Sequence, residues 1–182
     1  MKKFLKWLLI VVAALAVLLF IAFKVLQSQT KKASPEETVA YQQNELDLSV
    51  FYNRPSKRGR EIFGALVPYG EVWRTGANEA TTFTTNKDIS VAGQQLKAGK
   101  YTLWTIPDPE RWTVIFNSKM YSWGVGFDTK ALRDPAFDVI QVHAPVHQLQ
   151  DPVEMFTISF EPGSPVLMSL AWDQTRIALP IE

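Results

Sequence analysis

One unbroken apolar run near the amino terminus constrains this chain more than any other feature. Trp7 to Phe23 is a stretch of 17 apolar residues, preceded by three lysines and closed by Lys24. At 1.5 Å per residue, a helix of this length spans about 26 Å, near the lower limit for crossing a bilayer. A snorkelling Lys24 side chain would extend the span to Leu26. We therefore predict a transmembrane helix over residues 5–26.

A cleavable signal peptide is the alternative interpretation of this segment. Such peptides usually have a shorter apolar region of about 7–15 residues that ends in an A-x-A-like site. The run here is longer, and the sequence from Ile21 to Lys24 offers no such site. A lipoprotein anchor is excluded, because the chain has no cysteine. The sequence favours an uncleaved anchor and a short polar stalk over residues 1–32, with secretion after cleavage as the alternative.

The charge distribution separates the anchor from the rest of the chain. All six basic residues before position 33 are lysines with no acidic residue among them, whereas the following 150 residues carry 13 basic and 18 acidic side chains. This acidic balance argues against a nucleic-acid partner. Lysines flank the apolar run on both sides, so the positive-inside bias is weak, although the short basic tail resembles the start of an export signal. We predict a single-pass protein of the bacterial inner membrane, with residues 33–182 facing the periplasm.

The rest of the chain shows the period-two pattern of β-strands. Leu48, Val50 and Tyr52 alternate with other side chains, and similar runs bounded by turn residues recur to Ile181. Ser34 and Pro35 would suit a helix start, but no helical apolar stripe follows them. We predict nine or ten short strands, at residues 38–41, 48–52, 81–85, 88–91, 100–106, 112–117, 138–144, 153–160, 165–172 and 176–181.

Turn signals every eight to twelve residues are typical of an antiparallel β-sandwich or a jelly roll. Apart from a single turn near residues 61–66, no later stretch has the length and periodicity of a helix. The predicted fold class is therefore all-β, an antiparallel sandwich over residues 33–182 preceded by one transmembrane helix.

Basic side chains concentrate between residues 54 and 74 of a domain that is otherwise acidic. The planar fork of arginine suits bidentate contact with a carboxylate or a phosphate. Arg54 follows one predicted strand and residues 74–79 precede the next, so the two ends meet if those strands are neighbours. The alternative is an Arg–Glu lattice that only pins a long loop to the sheet. We predict a ligand site made of Arg54, Arg58, Arg60, Trp73, Arg74, Asn78, Glu79 and Trp123.

The residue types at this site indicate the chemistry of its ligand. Several cationic donors, one amide and one carboxylate suit a small anionic ligand, such as an acidic sugar or another carboxylate. An aromatic face also matches the apolar face of a pyranose. Trp73 and Trp123 lie in glycine-containing, turn-rich segments, so we expect them to be exposed, Trp73 as an apolar wall and Trp123 within a rim loop at residues 121–127.

Motifs that would identify a reaction are missing from the sequence. It has no H-E-x-x-H, G-x-S-x-G, Walker or G-x-G-x-x-G motif, and its two histidines, His143 and His147, would lie about 13 Å apart on a strand, too far to share one ion. We therefore predict no metal, no cofactor, and a non-enzymatic binding or envelope-structural module. The alternatives are an extracytoplasmic hydrolase of glycans or esters that uses Glu79, and a protein-partner domain of an envelope complex.

A long string of residues resembles one known family. It runs from Tyr52 to Thr81, reads YNRPSKRGREIFGALVPYGEVWRTGANEAT, and resembles the signature of the DUF2911 family. Further matches are AGKYTLWTIP at 98–107, WTVIFN at 112–117, Trp123-Gly124 and VEMFTISF at 153–160. The resemblance implies a domain over residues 34–182 in an exported protein of the Bacteroidetes type. The family has no known function, so it implies no catalytic residue, and an uncleaved anchor would depart from its usual cleaved, secreted members.

Overall fold

A computed structural model of the protein describes residues 2–126 and 128–182. The chain separates into two compact units, Met1–Ala33 and Ser34–Glu182. The first unit is a single helix, α1, at Lys2–Ala33. Its 31 residues from Lys3 to Ala33 are long and apolar enough to cross a membrane, and its large apolar side chains are exposed. A helix that is apolar on all sides is typical of a lipid environment.

The helix extends further than the predicted span. The polar segment that we expected to form a stalk after Leu26 is helical as far as Ala33. No proline or glycine interrupts it before Pro35, and a residue that precedes proline is disfavoured in the helical conformation. The helix therefore ends just before Ser34, and the first strand begins at Glu36.

The second unit is the predicted antiparallel β-sandwich. One sheet has six strands in the order β1-β2-β3-β6-β7-β8, and the other has four in the order β5-β4-β10-β9. The paired strands are antiparallel throughout. The strands are β1 (Glu36–Gln43), β2 (Leu46–Asn53), β3 (Thr82–Thr85), β4 (Ile89–Val91), β5 (Gln94–Leu96), β6 (Gly99–Ile106), β7 (Arg111–Asn117), β8 (Asp138–Pro145), β9 (His147–Glu161) and β10 (Val166–Ile181).

Alternating side chains of both sheets fill the space between them. On β2, Leu48, Val50 and Tyr52 are at most 1% exposed and face this core. One part of the core is aromatic: Trp73 stacks on Trp172, with ring centroids 5.9 Å apart, and packs edge-on against Phe156. Such offset and edge-to-face contacts add to the stability from burial.

The other face of the six-stranded sheet, which we call the outer face, is partly covered by the chain between β7 and β8. Trp104 and Ile115 project to this face and are fully buried, and the ring of Tyr121 packs edge-on against Trp104. The hydroxyl of Thr102 donates to the carbonyl of Lys119 and accepts from the Trp104 indole. This covering segment brings Trp123 and Gly124 near the sheet, which positions the candidate site.

Several strand boundaries differ from the prediction. β10 is one strand of 16 residues where we expected two, because Asp173 at φ 53° introduces a register shift without ending the pairing. β9 begins at His147 rather than near residue 153, since it follows β10 along most of its length. β5 was missed because three residues are too few for a period-two signal. Residues 61–67 form a hydrogen-bonded turn, closed from Val67 N–H to Ile62 C=O.

Candidate functional site

The end of β2 divides the predicted arginine cluster into two groups. Asn53 is the last residue of β2, and Arg54 follows it directly. Successive side chains of an extended chain point to opposite faces. The Arg54 side chain reaches β9, whereas Asn53 projects to the outer face and reaches Glu79. The expectation that Arg54 and Arg74 converge on one site therefore has to be corrected.

The first group, which we call the Arg54 lattice, joins β1 and β2 to β9. The Arg54 Nε lies 3.2 Å from the carbonyl oxygen of Phe156 and 3.0 Å from the Glu37 carboxylate. Its Nη2 donates to the Thr157 hydroxyl at 2.8 Å. Glu37 also accepts a hydrogen bond from the hydroxyl of Tyr52 at 2.9 Å. These contacts engage two nitrogens of the Arg54 guanidinium, and they tie three strands together.

Tyr52 is the buried centre of this lattice. Its hydroxyl accepts from the backbone N–H of Ile158 at 2.9 Å while donating to Glu37. Burial raises the pKa of the Tyr52 phenol far above its ordinary value, and the neighbouring Glu37 carboxylate raises it further, although hydrogen bonding from Ile158 and the Arg54 charge oppose the rise. The phenol therefore stays protonated and acts as a fixed hydrogen-bond donor.

The loop after Arg54 is fastened to the four-stranded sheet. Lys57 pairs with Asp173 of β10 at 2.5 Å. The backbone N–H of Arg58 donates to the Glu154 carboxylate of β9 at 2.9 Å. Arg60 turns back on its own loop, donating to the carbonyl oxygens of Ser56 and Lys57. The contacts of Arg54 and Arg60 are therefore those expected for a lattice that pins the loop to the sheet, the alternative to a ligand site.

The second group, which we call the Arg74 site, lies on the outer face. Asn53 is fully buried, and its Nδ2 donates to the Glu79 carboxylate at 3.0 Å. Asn78 is 5% exposed, and its Nδ2 lies 3.3 Å from the Asn53 Oδ1 and 3.4 Å from the Ser34 carbonyl oxygen. Together with Arg74, these residues place a guanidinium, two amides and a carboxylate in one place.

The backbone of the segment between Arg74 and Glu79 is held in an uncommon conformation. Thr75 has φ 58° and Asn78 has φ 55°, which is rare for a β-branched residue such as threonine. A Cβ on Gly76 would lie 2.9 Å from the Asn53 carbonyl oxygen, so only glycine fits there. The Thr75 carbonyl is fixed by the hydroxyl of Thr81 at 2.7 Å. Backbone strain of this kind concentrates at functional sites.

Arg74 differs from Arg54 in its hydrogen bonding. Its Nε–H is buried without a hydrogen-bond acceptor among residues 2–126 and 128–182. Burial lowers the pKa of the Arg74 guanidinium, and the Glu79 charge offsets part of this effect. Its aliphatic stem lies directly under Gly124, where an added Cβ would lie 2.5 Å from the Arg74 Cδ. The N–H of Gly124 donates to the Asn78 carbonyl at 3.2 Å, which holds this cover in place.

The two candidate tryptophans have different positions. Trp73 does not form the expected wall, because its ring packs in the aromatic core and its indole N–H donates to the Gly76 carbonyl at 3.0 Å. Trp123 is partly exposed beside Gly124, as expected for the rim loop at residues 121–127. The last residue of that predicted loop, Phe127, lies outside the described residues.

The two histidines are exposed and lie on different strands. His143 is on β8, where its Nδ1 lies 3.2 Å from the Thr113 hydroxyl, and His147 begins β9. Within the described part of the chain, no group of three or more histidine, aspartate or glutamate side chains is arranged to hold a metal ion.

Sequence reasoning missed Asn53 and Gly124 as parts of this site. The alternation of side chains along β2 could have identified Asn53. Asn53 lies on the same face of the strand as Phe51, whereas Arg54 lies on the opposite face. Gly124 carries no such signal, because its role depends on the long-range packing of one loop on Arg74.

Comparison with known proteins identifies the family of the domain. The profile of a family described as "Protein of unknown function (DUF2911)" matches residues 34–181. The chain belongs to this family, as the resemblance of residues 52–81 implied. No curated protein and no solved structure matches the chain.

Proposed function

We propose that this protein is a membrane-anchored domain outside the cytoplasm that binds a small anionic ligand through Arg74. The main observation in support of this proposal is the buried Arg74 Nε–H, which lacks an acceptor in the described part of the chain. A buried polar group without a partner costs about 1–3 kcal/mol, and more when it is charged. A bound carboxylate would satisfy the guanidinium in a bidentate geometry.

The surroundings of Arg74 support binding of an anion at one specific site, not attraction of anions by the net charge of the domain. Residues 33–182 are acidic overall, so a ligand gains nothing from the net charge of the domain. The amides of Asn53 and Asn78 are ordered by their contacts with Glu79 and with each other. This fixed arrangement selects a ligand by geometry, with Glu79 excluding anions that approach too close to it.

Ligand binding is tested with glucuronate and its neutral counterpart glucose, which differ in the oxidation of one carbon. The full chain in lipid nanodiscs is titrated calorimetrically with each sugar. We expect glucuronate to bind and glucose not to bind, because only the first carries a carboxylate for Arg74. Arg74→Met should abolish binding and Arg74→Lys should weaken it, since lysine lacks the planar fork. Arg60→Gln is the matched control and should bind normally. Binding retained in Arg74→Met would overturn the proposal.

The position of the domain is tested with a single introduced cysteine, since the chain has none of its own. A membrane-impermeant maleimide should label exposed Gln95→Cys in cells with a permeable outer membrane, and should label Lys3→Cys only after the inner membrane is broken. The reverse pattern would place the domain in the cytoplasm. The mass of the purified protein distinguishes an uncleaved anchor from a cleaved signal peptide.

A further inference from the structure

Two partly exposed aromatic residues flank the Arg74 site. Phe51 is two residues before Asn53 on β2 and therefore projects to the same outer face. Trp123 directly precedes Gly124, which covers the stem of Arg74. Neither ring belongs to the two apolar clusters that the described residues form. Both rings are therefore available to a ligand, and neither is needed to fill the core.

Short hydroxyl side chains surround Phe51. In the strand register, Phe51 lies between Thr38 of β1 and Thr82 of β3. Two residues earlier on β2, Ser49 is paired with Thr84 of β3. These side chains are exposed or partly exposed. Serine and threonine hydroxyls both donate and accept hydrogen bonds, and they are too short to cover the face of the aromatic ring.

This combination of groups matches the chemistry of a sugar chain. An aromatic ring packs against the apolar face of a pyranose, and neighbouring hydroxyls exchange hydrogen bonds with the hydroxyls of the sugar. A guanidinium whose Nε–H has no acceptor binds the carboxylate of a uronic acid. Because Phe51 lies on β2 and Trp123 lies in the loop that covers the stem of Arg74, the two rings suit neutral sugars on either side of one acidic sugar. The acidic domain disfavours a chain that is charged at every unit.

We infer that Phe51, Arg74 and Trp123 form a binding strip for an acidic glycan, in which a uronic acid carboxylate lies at Arg74 and adjoining neutral pyranoses pack on the two rings. This inference rests on the proposed function for the carboxylate and adds the ligand class. It also assigns a role to Phe51 that the motif around Arg54 did not suggest.

The test compares three probes on the full chain in nanodiscs: glucuronate, xylotriose, and xylotriose bearing one glucuronic acid. We expect the acidic oligosaccharide to bind about tenfold more tightly than glucuronate, and xylotriose alone to bind more weakly than either. Phe51→Leu and Trp123→Leu should each weaken binding of the acidic oligosaccharide about five- to tenfold, the loss of one ring contact. Both should change glucuronate binding by less than about twofold.

Control variants keep this test independent of folding. Phe51→Tyr preserves the ring face and should retain oligosaccharide binding. Phe137→Leu replaces an exposed phenylalanine elsewhere, 43% exposed, and should have no effect. Trp123→Leu alters a loop and not a strand, so its effect on binding can be measured even if Phe51→Leu is unstable.

Two results would overturn the inference. One is that the acidic oligosaccharide binds no more tightly than glucuronate, and the other is that both leucine variants keep full affinity for it. If glucuronate binding still depends on Arg74, the proposed function stands and only the glycan strip fails. If glucuronate does not bind at all, both fail.

Discussion

The Arg54 lattice and the Arg74 site use the same kinds of residues on opposite faces of one sheet. In the lattice, Arg54 donates to a carbonyl and a hydroxyl, pairs with a carboxylate, and joins three strands. At the site, the Arg74 Nε–H is buried and has no acceptor among the described residues. The first arrangement ties strands together, whereas the second leaves one buried N–H of a cation without an acceptor.

This difference separates stability from binding in residues that are close in sequence. Arg54 is partly buried and donates to two acceptors on β9, so its removal leaves those acceptors without their donor. A buried N–H without an acceptor is itself destabilising, so an apolar side chain of similar shape can replace the group at little cost. Substitutions on the two sides of the sheet should therefore have opposite effects on folding and on ligand binding.

The largest effect is expected from Gly76→Ala, at the base of the Arg74 site. The new Cβ would meet the Asn53 carbonyl oxygen at 2.9 Å, and φ is +153°. We expect a loss of about 3 kcal/mol in the free energy of unfolding, measured by urea denaturation of residues 34–182. Gly59→Ala, beside the lattice, is the matched control: φ is +70° with nothing within 4 Å, so the loss should be about 1 kcal/mol. Equal losses would contradict the tight packing at Gly76.

Tyr52→Phe should have the next largest effect. It removes the acceptor of the buried Ile158 N–H and the donor to Glu37, at a cost of about 2 kcal/mol at neutral pH. Because the pKa of Tyr52 is raised on folding, its stabilising effect is complete below the unfolded value near 10 and is lost as the pH rises toward the folded value. The difference in stability between wild type and variant should therefore shrink above about pH 10. A constant difference across that range would show that Tyr52 titrates normally.

Arg54→Gln should destabilise the domain by about 1.5 kcal/mol, because the carbonyl of Phe156 loses its donor and the carboxylate of Glu37 loses its ion-pair partner. Arg60→Gln should cost less than about 0.5 kcal/mol, since Arg60 is exposed and its side chain donates to carbonyl groups of its own loop. Thermal unfolding of both variants checks this order. If Arg60→Gln were the more damaging, the lattice would not be centred on Arg54.

The sandwich followed from the sequence because its strands repeat a period-two pattern with clear turns, as at Leu48, Val50 and Tyr52. The site followed only in part. Arg74 lies near Glu79 and under Gly124, the neighbour of Trp123, but Arg54 and Trp73 project elsewhere. Strand parity at the end of β2 decides the direction of Arg54, whereas that of Trp73 depends on its long-range pairing with Thr105, which the sequence does not show.

The most direct test of the central claim is the stability of Arg74→Met without ligand, measured by urea denaturation beside Arg54→Gln. Methionine retains the packing under Gly124 and removes a guanidinium whose Nε–H has no acceptor in the described structure. We predict a free energy of unfolding that is no more than about 0.5 kcal/mol below wild type, and higher than wild type where the cost of the unsatisfied N–H is removed, together with loss of glucuronate binding. A loss of about 1.5 kcal/mol or more, matching Arg54→Gln, would show that Arg74 is part of the structural lattice and would contradict this account.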